Sequence, residues 1–89
     1  MLSKRLRWFW IWSRRYLLSP IDRRILKNVL HRGRSYPGDI IKSLRLSQNI
    51  GLRKIFSLRD KGFLMVDETA RIRLNPDRRK QVKVMTESD

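Results

Sequence analysis

The chain has 89 residues, 40% hydrophobic and 34% charged, which allows one modest core but not two, since independent domains run to roughly 50–200 residues each. Lys and Arg number 22 against 8 Asp and Glu, a formal net charge of +14, so the surface attracts polyanions: nucleic acid first, anionic lipid headgroups second, acidic proteins third. There is no cysteine, which excludes disulfides, zinc knuckles and thiolate chemistry, and His31, the single histidine, cannot build a zinc site without several carboxylates.

Residues 1–18 carry five basic side chains, no acid and five of the eight aromatics, with all three Trp inside Arg7-Trp8-Phe9-Trp10-Ile11-Trp12. The apolar run is too short for a secretory signal and is followed by Ser13-Arg14-Arg15, while a spanning helix needs about 20 apolar residues. The expectation is an intracellular, cytoplasmic protein associated with nucleic acid. As a helix, this segment places Leu2, Leu6, Phe9, Trp10, Tyr16 and Leu17 on one face, and Trp8 and Trp12 on the other between Arg5 and Arg15. A twin copy, an anionic membrane surface or the chain's own core could cover them. A homodimer through Leu6, Trp8, Phe9, Trp10, Trp12 and Tyr16 is favoured, because Trp and Arg are enriched at interface hot spots. Membrane contact ranks below it.

Ser19-Pro20 starts a helix, with Ser as N-cap and Pro at the first position. The stripe Ile21, Ile25, Leu26, Val29 and Leu30 carries it to about His31, and Gly33 stops it. A second helix runs from Pro37 or Gly38 to Leu44 or Arg45 with Ile40, Ile41 and Leu44 inward. Ser47 caps a third, about 48–61, ended by Gly62. Gly51 costs about 1 kcal/mol of helix stability relative to Ala, so the firm start of this helix is expected near Leu52, after a rather loose turn. The period then becomes alternating: Phe63-Leu64-Met65-Val66 and Arg71-Ile72-Arg73-Leu74 predict a hairpin around Asp67-Glu68-Thr69-Ala70. Asn75-Pro76 leads into a short helix over Asp77 to Met85, and the end is expected to be loose. The domain reading is 1–18 an aromatic and basic dimerisation helix, 19–80 the folded domain, and 81–89 a C-terminal tail.

The segments Ile21…Arg24-Ile25-Leu26…Leu30, Asp39-Ile40-Ile41…Leu44-Arg45-Leu46-Ser47 and Leu52-Arg53-Lys54-Ile55…Leu58-Arg59-Asp60-Lys61-Gly62-Phe63-Leu64 together resemble a winged helix-turn-helix domain. Ile72-Arg73-Leu74-Asn75-Pro76 resembles the last wing strand and following turn of MarR- and ArsR-type regulators. The resemblance covers residues 19–80 and implies an α+β, mainly helical fold: a three-helix core plus a β-hairpin wing, here with an extra N-terminal helix. It also implies a hairpin lying beside a recognition helix, so that Arg71 and Arg73 reach an adjacent backbone or minor groove.

On a helical wheel, Leu52, Ile55, Phe56 and Leu58 are expected on the buried side of the third helix, leaving Asn49, Arg53, Lys54, Ser57 and Lys61 on or near the other. Double-stranded DNA fits that face, because an Arg fork matches guanine O6 and N7 and Asn matches adenine N6 and N7. Arg53 is the first choice for a base contact, followed by Asn49 and Ser57, with Ile50 available to a thymine methyl. Lys54 and Lys61 suit phosphates, and Gln48 completes the set. In the hairpin, alternation turns Ile72 and Leu74 inward and Arg71 and Arg73 outward, while the acids Asp67 and Glu68 at the tip repel phosphate. The expected function is a DNA-binding transcriptional regulator; a non-specific architectural DNA- or RNA-binding protein and a membrane-surface module are the alternatives. No nucleophile-base grouping, phosphate loop or metal-ligand spacing is present, so no enzyme, cofactor, metal or small-molecule substrate is expected.

Overall fold

A computed structural model describes residues 18–87. The proposed N-terminal helix and dimer contacts Leu6, Trp8, Phe9, Trp10, Trp12 and Tyr16 lie outside the described residues.

The first helix, α1 (Pro20–Arg32), begins with a complete capping box. Ser19 Oγ accepts from the Asp22 backbone N–H at 3.2 Å, and the Ser19 N–H donates to Asp22 Oδ2 at 2.9 Å, an arrangement that stabilises a helix by about 0.5–2 kcal/mol. Ile25, Leu26 and Val29 are fully buried, and Gly33, at φ 78°, ends the helix by donating to Val29 O.

The next helix, α2 (Pro37–Ser43), buries Ile40 and Ile41. The turn 44–47 is tight: Leu46 N donates to Ile41 O at 3.0 Å, and Arg45 takes a left-handed φ of 55°. Helix α3 (Gln48–Asp60) then starts at once, with Ser47 Oγ accepting from Ile50 N. The expected late start near Leu52 and loose turn are therefore corrected. Gly51 is buried inside the helix, and a Cβ there would stand 2.9 Å from Ile41 Cδ1 and closer still to Cγ1. Glycine lets the Ile41 side chain of α2 pack directly on the α3 backbone, and that packing outweighs its poor helix propensity.

Gly62, at φ 88°, turns the chain out of α3. Strands β1 (Leu64–Val66) and β2 (Ile72–Leu74) pair antiparallel with Leu64 opposite Leu74, Met65 opposite Arg73 and Val66 opposite Ile72. Leu64, Ile72 and Leu74 face the core; Met65 and Arg73 share the outer face. Ser35, from the loop after α1, adds a single bridge to β2, exchanging both backbone bonds with Ile72 at 3.0 and 2.7 Å.

After a 3-10 turn at Pro76–Arg78, capped by Asn75, the chain forms α4 (Arg79–Glu87). For residues 81–87 this corrects the expected tail at 81–89 and the loose end after Met85; residues 88 and 89 lie outside the described residues. Val82, Met85 and Thr86, at i, i+3 and i+4, are buried as α4 packs along α1, so the buried interior extends to Thr86. The described residues thus form an α+β, mainly helical unit of four α-helices and one antiparallel hairpin.

Candidate nucleic-acid interface

The buried side of α3 is set by Gly51, Ile55 and Leu58, and at roughly 100° per residue Phe56 lies about 130° from its centre. Phe56 is accordingly exposed at 39%, which corrects its expected place in the core. Asn49, Arg53, Phe56 and Asp60, at i, i+4, i+7 and i+11, form one exposed stripe along the helix. Gln48 and Ile50 are exposed at its N-terminal end, Ile50 at 45%.

Other members of the expected set are placed differently. Lys54 turns inward to α1: its Nζ donates to Ser19 Oγ at 3.3 Å and lies 4.0 Å from Asp22 Oδ1. Asp22 is only 2% exposed, so Lys54 supplies the positive charge that a desolvated carboxylate requires. A phosphate role for Lys54 gives way to a positioning role, fixing α3 against the start of α1. Ser57 and Lys61 are half-buried at the edge of the face.

Two side chains join the face that the wheel did not assign to it. Phe56 is one. Arg59 is the other, with its guanidinium 4.9 Å from the Phe56 ring centroid and 3.4 Å from Asp60 Oδ1. Asp60 is thus a paired charge, and Arg59 covers the flank of an aromatic ring that would otherwise face water. The signal was present in the sequence: once Gly51 counts as a buried position, the apolar arc rotates and Phe56 falls outside it.

In the hairpin, Arg71 is exposed, with its guanidinium 5.2 Å from the Tyr36 ring centroid. The Tyr36 hydroxyl and then its charge when ionised hold Arg71 above its ordinary range, with Asp67 adding to this. Arg73 is half-buried across from Met65. These two arginines gather toward the loop after α1 and toward α4. Arg71 lines a cleft with Arg32, Arg34 and Tyr36, and Arg73 lines one with Arg34 and Arg79.

The acidic tip is largely occupied with its own loop. Asp67 Oδ1 accepts from Thr69 Oγ1 at 2.7 Å, Thr69 N at 2.8 Å and Arg71 N at 3.0 Å, and Oδ2 lies 3.8 Å from Arg34 Nε. The Thr69 hydroxyl first, then the backbone N–H groups of Arg71 and Thr69 and the Arg34 charge, hold its carboxyl below the usual range against the opposing effect of desolvation. Asp67 shapes the loop, and Glu68 is the exposed acid at the tip.

Among the described residues, no group of three or more His, Cys, Asp or Glu side chains could hold a metal ion. No helix among them is long and apolar enough to cross a membrane. No protein-family model matches the chain, and no curated protein matches it.

Proposed function

We propose that this chain is a winged helix-turn-helix DNA-binding regulator, acting as a homodimer, in which α3 enters the major groove. The observation that carries this reading is the stripe Asn49, Arg53 and Phe56 on a helix whose opposite side is fixed at Gly51 and Lys54. A reading helix must hold its side chains in register, and such attachments restrict its roll and translation. The order of α1, α2, turn 44–47, α3 and hairpin supports the same reading.

Arg53 presents a fork to guanine, Asn49 an amide to adenine, and Phe56 with Ile50 an apolar contact to thymine methyl groups. After selection of a preferred duplex from a random pool, Arg53→Ala is expected to lose about 1–3 kcal/mol of discrimination at one base pair and little elsewhere. Binding by fluorescence anisotropy to the selected duplex and its single-base variants reads this out. A uniform loss across all sequences would transfer support to the second reading, a non-specific architectural binder. That reading draws on the distribution of charge, because α3 exposes few cations besides Arg53 and Arg59 while α1 and α4 expose several.

A further inference from the structure

The side of α1 opposite its buried stripe is basic. Asp22, Ile25, Leu26 and Val29 point inward, and Arg24, Lys27 and His31 lie roughly 180° around the helix. Helix α4 packs along α1 and sets Arg79 and Lys83 beside Lys27, Leu30 and His31 in a shallow cleft whose one acidic wall residue is Glu87. A second cleft shares Lys27 and His31 and continues the surface to Arg24 and Arg32. The two clefts therefore form one continuous band. Lys27, Arg79 and Lys83 make no ion pair with a carboxylate among the described residues. Arg24 spends one N–H on Leu44 O at 3.3 Å and remains exposed.

This band and the α3 stripe are separate surfaces, on sides of α1 and α3 turned away from the core. Lys54 and the Gly51 side of α3 are turned toward the α1–α2 core, so the stripe of α3 points away from α1, and the band lies on the far side of α1. One polyanion lying along α3 leaves the band uncovered.

From this geometry we infer that the α1–α4 face is a second phosphate-binding surface, which takes the backbone of a second DNA duplex so that one folded unit joins two duplex segments. The inference rests on the reading of α3 as the first DNA face. Duplex phosphate fits better than a lipid surface, because the clefts are walled by long cationic side chains and half-buried leucines. The one exposed large apolar residue of α1 and α4, Val84, lies outside both clefts and offers a single small anchor, where membrane insertion uses several aromatic or large aliphatic ones. Cations without base-reading partners imply contact independent of sequence.

The test is capture of a fluorescent duplex on beads carrying a second, immobilised duplex, using the full chain and its Lys27→Gln/Lys83→Gln variant, with folding checked by circular dichroism. The wild-type chain is expected to capture the second duplex. The variant is expected to keep its affinity for a single duplex within about threefold, to lose capture by about tenfold, and to show a salt slope for capture lower by about 1.8, two phosphate contacts at 0.9 each. Arg53→Ala is expected to weaken single-duplex binding with its sequence preference. Capture unchanged in the Lys27/Lys83 variant overturns the inference, since a dimer bridging through its two α3 helices gives that result. Loss of the variant's binding to phosphatidylserine vesicles with unchanged DNA capture also overturns it, in favour of a lipid surface. Failure of the wild-type chain to bind any duplex instead removes the reading of α3 on which it rests.

Discussion

Asp67 sits at the hairpin tip of a protein proposed to grip phosphate, where a free carboxylate would be a liability. The three hydrogen bonds on Oδ1 and the nearby Arg34 make it a loop-shaping anion. Because its pKa is lowered on folding from the ordinary 3.8, its stabilisation is fully present above that value and lost as pH falls through the lower folded value. Asp67→Ala is therefore expected to lower the melting temperature at neutral pH, and the gap from wild type to narrow below pH 3.8; a gap independent of pH would contradict this role. At this scale, sequence logic found the outward turn of Arg53 and Asn49 but missed Lys54, because the partner that draws it inward, the Ser19–Asp22 capping box, lies 35 residues away in the chain. It misplaced Phe56 for a related reason: hydrophobicity alone puts a phenylalanine inside, and here the buried arc is centred on a residue with no side chain.

The crossing of α2 and α3 depends on Gly51, and the expected effect of changing it separates propensity from packing. Propensity alone gives Gly51→Ala about 1 kcal/mol of added stability. The contact with Ile41 reverses the sign: Cγ1 is next to the backbone of a β-branched side chain and has little room to move. Gly51→Ala is expected to destabilise by about 1–3 kcal/mol, and the loss to disappear when the same change is made in an Ile41→Ala background. Urea unfolding of the four chains closes this double-mutant cycle. Helices and strands were legible as elements, since Ser19, Ser47, Gly33 and Gly62 mark ends by mechanisms that act within a few residues. Their joining was less so. The bridge from Ser35 to Ile72 and the packing of α4 on α1 are contacts between distant segments, and nothing local in Ser35 or Val82 announces a partner.

For the whole molecule, the sequence joins a small core, a fixed helix and an excess of cations to an aromatic N-terminal segment, residues 1–18. If Trp8 and Trp12 hold two copies together, Trp8→Ala/Trp12→Ala in the full chain is expected to shift the mass from dimer to monomer by size-exclusion with light scattering, while leaving the circular dichroism of the folded unit unchanged. Wild type already monomeric would remove the dimer and the dimerisation role of residues 1–18 while leaving the reading of α3 intact. The central claim, that α3 presents a DNA-reading face, is tested most directly by titrating duplex DNA with the wild-type chain and Arg53→Ala as salt rises from about 50 to 200 mM. Neutralising four phosphates weakens binding on the order of a hundredfold across that range, and the wild-type chain is expected to show such a fall, with Arg53→Ala weaker throughout. Affinity that stays level with salt, or an Arg53→Ala curve that overlies the wild type, would contradict it.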